Sequence, residues 1–273
     1  MKAMHAQALR IAGLLLACLW TAAGAAGSRL DASVTLEKSE AAIGRTTGDH
    51  SLVRSDGSLL ALSALRGRPL VISLVYSSCS SVCPITTQKL KATVALARSA
   101  LGGDAFSVLT VGFDALNDSP RRMGAFAADH DIDSDPLWHV ASGSPAVLET
   151  LLEEVGFSYS AAAGGFEHVA QTTILDSDGR IYRQVYGDDF PAQVFVEPLK
   201  ALVFGVTTRS FTPAGLADRL RFLCTVYDPQ TGRYRTDYAI YIGISTGGVS
   251  LLLMAWVIVR MWRGIRRFTR AKT

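Results

Sequence analysis

The chain has 273 residues, 49% of them hydrophobic and 19% charged, with four cysteines and a formal net charge of +3. That length allows one ordinary domain with appendages. The apolar content excludes disorder throughout, and so few cysteines exclude a disulfide-dense miniprotein. The ends carry eight basic residues (Lys2, Arg10, Arg260, Arg263, Arg266, Arg267, Arg270, Lys272) and no acids; with those set aside, 19 basic residues face 24 acidic ones, so a nucleic-acid footprint has no support.

In chain order, residues 1–26 read as a secretory signal peptide. Basic Lys2 and Arg10 precede an apolar run from Ile11 to Trp20, and an Ala-Gly-Ala exit ends near Ala25 or Ala26. Leu15-Leu16-Ala17-Cys18 also has the form of a lipoprotein box, with Cys18 as the lipidated residue. Residues 27–48 are small and polar and read as a tether. Two short strands, Ser51–Arg54 and Ser58–Leu62, flank the turn Ser55-Asp56-Gly57. The near-continuous apolar runs Pro69–Tyr76 and Phe106–Phe113 predict strands buried on both faces. Between them Pro84–Leu101 has helical spacing, with Pro84 suited to the first helical position. A helix start at Asn117-Asp118-Ser119-Pro120, a strand at Trp138–Ala141 and a helix at Pro145–Val155 follow. Strands Thr172–Leu175 and Ile181–Val185 surround the turn Asp176-Ser177-Asp178-Gly179, and Pro191–Phe204 predicts a closing helix. The alternation implies one α/β domain over residues 49–205 with a mixed central sheet.

Residues 206–238 form a juxtamembrane extension. Ala239–Val259 is 21 residues without charge, a length of roughly 31 Å as a helix, which predicts a transmembrane span. Tyr238, Tyr241, Trp256 and Trp262 flank it, and the basic tail 260–273 is expected to be cytoplasmic. The domain is thereby expected in the periplasm, single-pass on the inner membrane. Gly243 and Gly247 form a GxxxG pair that would suit a homodimer.

Cys79 and Cys83 follow the first buried strand at the mouth of a helix. The helix N-terminus favours thiolate, so redox or metal chemistry competes with a structural disulfide. Three intervening residues suit two sulfurs on one ion, and a disulfide can still close. Two thiolates rarely complete a metal site, and five histidines are available. His5 falls in the signal, His50 in the tether or first strand, His130 in an Asp-rich surface stretch, and His139 in a strand as a packed residue. His168 lies in a Gly-rich loop, Gly164–His168, leading into the strand expected to border the cysteine strand.

The segments VYSSCSSVCP (Val75–Pro84), VGFDALNDSP (Val111–Pro120) and FEHVAQTTILDSDGRI (Phe166–Ile181) resemble the SCO/SenC family of copper chaperones. The tail from Phe222 to Tyr234, with Cys224, resembles a bacterial branch carrying a C-terminal membrane helix. The resemblance implies a thioredoxin-like fold, with Cys79, Cys83 and His168 as copper ligands. It also implies copper delivery to the CuA site during cytochrome c oxidase assembly, with the CuA subunit or another copper chaperone as partner. Two thiolates and an imidazole suit Cu(I), and imidazole also allows Cu(II). The alternative is a thiol–disulfide oxidoreductase acting through Cys79 and Cys83 to reduce the acceptor's cysteines. The sequence departs from the family at Ala115, where a proline usually follows Asp114, and at Val169, which removes a side-chain hydrogen-bond partner for His168.

Overall fold

A computed structural model describes residues 30–80, 82–162, 164–206, 225–228, 233–236 and 239–270. Among the described residues, those up to Lys89 together with Ser107–Phe190 form one compact unit; Leu90–Phe106 and those from Pro191 onward form a second. The first unit holds a seven-stranded mixed sheet, built from β1 (Ser51–Arg54), β2 (Leu59–Ala61), β3 (Leu70–Val75), β4 (Ser107–Gly112), β5 (Trp138–Ser142), β8 (Gln171–Leu175) and β9 (Ile181–Tyr186). A separate hairpin pairs β6 (Tyr159–Ala162) with β7 (Gly165–His168).

The strand order is β2-β1-β5-β4-β3-β8-β9. β3 runs parallel to β4 and antiparallel to β8, and β4 runs parallel to β5. Every residue of β3 and β4 is buried, as expected of central parallel strands covered on both faces. The strand leading into the cysteines therefore borders the one that follows His168, with Ser73 opposite Thr172. This is the mixed α/β sheet expected of a thioredoxin-like domain.

The stretch expected as a tether is partly folded. Helix α1 (Ala32–Glu40) opens at the Asp31 cap, whose carboxylate accepts the Ser33 and Val34 N–H groups. Thr46 then bridges Arg180, and Thr35, Ser39, Ala42 and Thr47 are buried. The Ser39 hydroxyl donates to Gln171 Oε1 at 2.8 Å and accepts from Tyr186 Oη at 2.9 Å. α1 thus joins the sheet through a buried polar network, which a search for apolar periodicity does not detect.

Helix α2 runs Val82–Leu101, two residues earlier than the proline-first expectation, so Cys83 lies inside its first turn. α3 (Pro120–Asp129) starts as expected, with the Ser119 hydroxyl accepting from Arg122 N–H and Pro120 in the first turn. α4 covers Pro145–Glu154.

In the second unit α5 (Ala192–Lys200) buries Phe195, Val196 and Leu199 and passes into a π-helical stretch, Ala201–Val206. Within that unit Phe106 meets Phe195 edge-on at 6.4 Å, and the Arg98 guanidinium lies 5.5 Å from the Phe106 ring centre. A short hairpin pairs β10 (Thr225–Asp228) with β11 (Arg233–Thr236), and α6 spans Ala239–Arg270. Among the described residues no helix is long and apolar enough to cross a membrane. The side chains of 239–241, 244 and 257–258 in the expected span lie outside the described residues, as do Cys18, Cys224 and the expected signal peptide.

Candidate metal centre

The cysteine pair sits where β3 gives way to α2. The chain turns immediately after the strand, with the Cys79 N–H donating to the Tyr76 carbonyl at 3.0 Å. The Cys83 N–H then donates to Cys79 Sγ at 3.3 Å, so a sulfur occupies the place of the usual oxygen cap. Both residues are free thiols and both are buried, Cys83 to 2% exposure.

Burial pushes the Cys83 thiol up to about 12; the Tyr76 N–H opposes this, while neighbouring Cys79 and the Asp118 carboxylate add to it. The sequence argument from the helix N-terminus favours thiolate at this motif. For Cys83, loss of hydration outweighs it, because the side chain is buried even though it stands in the first turn of the helix. A metal ion taking Cys83 as ligand must therefore displace a firmly held proton.

His168 is not on a loop. It is the last residue of β7, facing Tyr159 of β6 across the hairpin. Its ring packs among Phe113 at 5.4 Å, Phe157 at 5.5 Å and Tyr76 at 6.2 Å. The same cluster lines part of a cavity of about 480 Å³, with Phe113, Phe157 and Tyr159 in its wall. Burial holds the imidazole below its ordinary value, so the neutral ring is favoured. Nδ1–H donates to the Val169 carbonyl at 3.2 Å, which leaves the Nε2 lone pair uncommitted in the neutral ring. The side-chain partner that Val169 cannot supply is thus replaced by its backbone.

Tyr76 joins the two halves. Its ring meets Phe166 of β7 edge-on at 5.2 Å and the His168 ring at 6.2 Å, while its carbonyl holds the Cys79 N–H. Burial and the Cys79 sulfur push the phenol up to about 12. Among the described residues, however, no three His, Cys, Asp or Glu side chains are close enough together to hold a metal ion. The structure brings the two cysteines together and sets His168 across Tyr76 from them, without closing a three-ligand set.

Of the other candidates, His50 pairs with Glu154 at 2.6 Å, and His130 stacks on Phe126 at 4.1 Å. His139 is half-buried in β5. Asp114, which Ala115 rather than a proline follows, turns to its own loop, accepting from Asn117 Nδ2 at 2.8 Å. Asp118 is the carboxylate that the sequence reading missed in this role. It accepts the Ser77 N–H at 2.8 Å and the Asp114 N–H at 2.9 Å, and burial raises it above the usual carboxylate range. Its place in a helix-start cluster disguised it, since Asp there reads as capping.

The sequence profile of the SCO1/SenC family matches residues 38–203. A solved structure from Aquifex aeolicus VF5, assigned provisionally to electron transfer, is 26% identical over 62% of this chain and 99% of its own, with a TM-score of 0.55. Two others agree in fold alone. BsSco, described as a Sco-family cytochrome c oxidase assembly protein with a disulfide switch, is 17% identical over 61% of this chain and 96% of its own, TM-score 0.53. Arabidopsis thaliana ScoI with copper bound is 16% identical over 56% and 95%, TM-score 0.50. No curated protein matches the sequence.

Proposed function

The chain belongs to the SCO1/SenC family, and we propose that it is a copper chaperone delivering Cu(I) to the CuA site of cytochrome c oxidase during assembly. Cys79 and Cys83 supply two soft sulfur ligands and His168 the third, a set suited to Cu(I). Copper is cargo here, so the site must release it; a three-ligand ion leaves a position for an incoming thiolate of the acceptor. The observation that carries this reading is the His168 tautomer: Nδ1–H is committed to the Val169 carbonyl, and Nε2 keeps its lone pair on a ring 6.2 Å from that of Tyr76, whose carbonyl accepts the Cys79 N–H. The uncharged stretch Ala239–Val259 and the basic tail behind it support a single membrane anchor, with the sheet domain on the periplasmic side of the inner membrane and the signal peptide directing its export.

A dithiol reductase for the acceptor's cysteines is the second reading, favoured by the two adjacent free thiols. Cells carrying Cys83→Ser separate the two. Copper delivery predicts oxidase lacking CuA that added thiol reductant does not restore, whereas full restoration by reductant would contradict delivery and favour the reductase.

A further inference from the structure

The cavity beside the His168 cluster lies outside the ligand set, and its lining is of two kinds. Phe113, Leu148, Leu152 and Phe157 form a buried apolar floor, while Tyr159, 42% exposed, is the ring an incoming group can reach. Glu149 and Glu153 of α4 add two exposed carboxylates, against the single ammonium of Lys38 from α1. Spaced four residues apart, the two glutamates share one face of α4 and repel each other. No basic residue stands in the last turn of that helix, so its C-terminal dipole adds to their negative potential. The frame is fixed by close packing. A Cβ on Gly156, which has φ of +68°, would fall 2.7 Å from the Lys38 carbonyl, so α1 lies directly on the turn after α4. The cavity also reaches the imidazole: Tyr159 faces His168 across the hairpin, and the Phe113 and Phe157 rings pack on it at 5.4 and 5.5 Å.

A guanidinium satisfies these demands together. It is planar, weakly hydrated and stacks on an aromatic face, it pairs with carboxylates, and its aliphatic stem covers apolar surface. An ammonium is compact and strongly hydrated, and so makes less of the ring and the floor. We propose that the cavity is a docking socket for an arginine side chain of a protein partner, with the guanidinium against Tyr159 and its charge answered by Glu149 and Glu153. The partner's identity rests on the copper reading above, under which it is the acceptor. Arginine is a favoured anchor at protein interfaces, and here it seats the acceptor one layer of rings from His168.

The test uses the full reduced chain without copper, the tripeptide N-acetyl-Ala-Arg-Ala-amide as probe, and the methyl NMR signals of Leu148 and Leu152 as readout. Saturable shifts at both leucines are expected. The same tripeptide with neutral citrulline should bind about fivefold more weakly, and so should the arginine tripeptide to the double variant Glu149→Gln, Glu153→Gln. Both glutamates are exposed and repel each other, so the urea midpoint of the variant should equal or exceed that of wild type. No saturable shift, equal binding of the citrulline probe, or equal binding by the variant would overturn the socket. Agmatine binding about tenfold tighter than the tripeptide would mark a small-molecule site and overturn it as well. A chain that binds Cu(I) but not the tripeptide defeats the socket alone. One that binds the tripeptide but no Cu(I) supports the socket and defeats the copper reading.

Discussion

Gly112 ends β4 at the point where the chain turns toward Asp118. A Cβ at that position would lie 2.6 Å from both Asp118 Cβ and Met123 Sδ, so the absence of a side chain is what lets the buried carboxylate stand behind the cysteine turn. Asp118 in turn holds the Ser77 N–H, two residues before Cys79. Gly112→Ala should therefore destabilise the fold by about 1–3 kcal/mol through overpacking, read from the midpoint of urea unfolding. A midpoint equal to wild type would show that the Asp118 loop yields freely. At this scale the cysteine pair was marked as a candidate by residue type and spacing, and His168 by the family resemblance. Tyr76 and Asp118 were not. Their contribution comes from contacts with partners distant in the sequence, the Phe166 ring for the one and the Ser77 N–H for the other.

Among the elements, the buried central strands were readable because six consecutive apolar or small residues have few other solutions. Ser119 and Pro120 likewise announced α3. The hairpin carrying His168 was read as a loop. β6 is Tyr-Ser-Ala-Ala and leaves its residues largely exposed, so no alternation of polar and apolar side chains marks it. α1 was missed for a related reason, since only Thr35 and Ser39 of its nine residues are buried and neither is apolar. What fixes α1 is the polar network of Ser39, Gln171, Gln184 and Tyr186. Ser39→Ala strands the Gln171 and Tyr186 groups in the interior, and should cost about 1–3 kcal/mol in thermal or urea unfolding. A loss within error of zero would return 27–48 to the status of a tether.

For the whole molecule, the fold places a short dithiol turn at the end of a fully buried strand and brings an imidazole to the same region from some ninety residues further along the chain, across one tyrosine. Burial is what gives this arrangement its character. It keeps the Cys83 thiol protonated and the His168 ring neutral until a metal ion competes for them. Under the copper reading proposed above, such a site resists weakly binding ions and rewards a soft ion that can take two sulfurs at once. The most direct measurement is anaerobic Cu(I) titration of the full reduced chain against a competing chelator, wild type beside His168→Ala. One Cu(I) per chain, held at least tenfold more weakly once the imidazole is gone, is the expected result. Equal affinity in the two proteins would remove His168 from the ligand set and contradict the account.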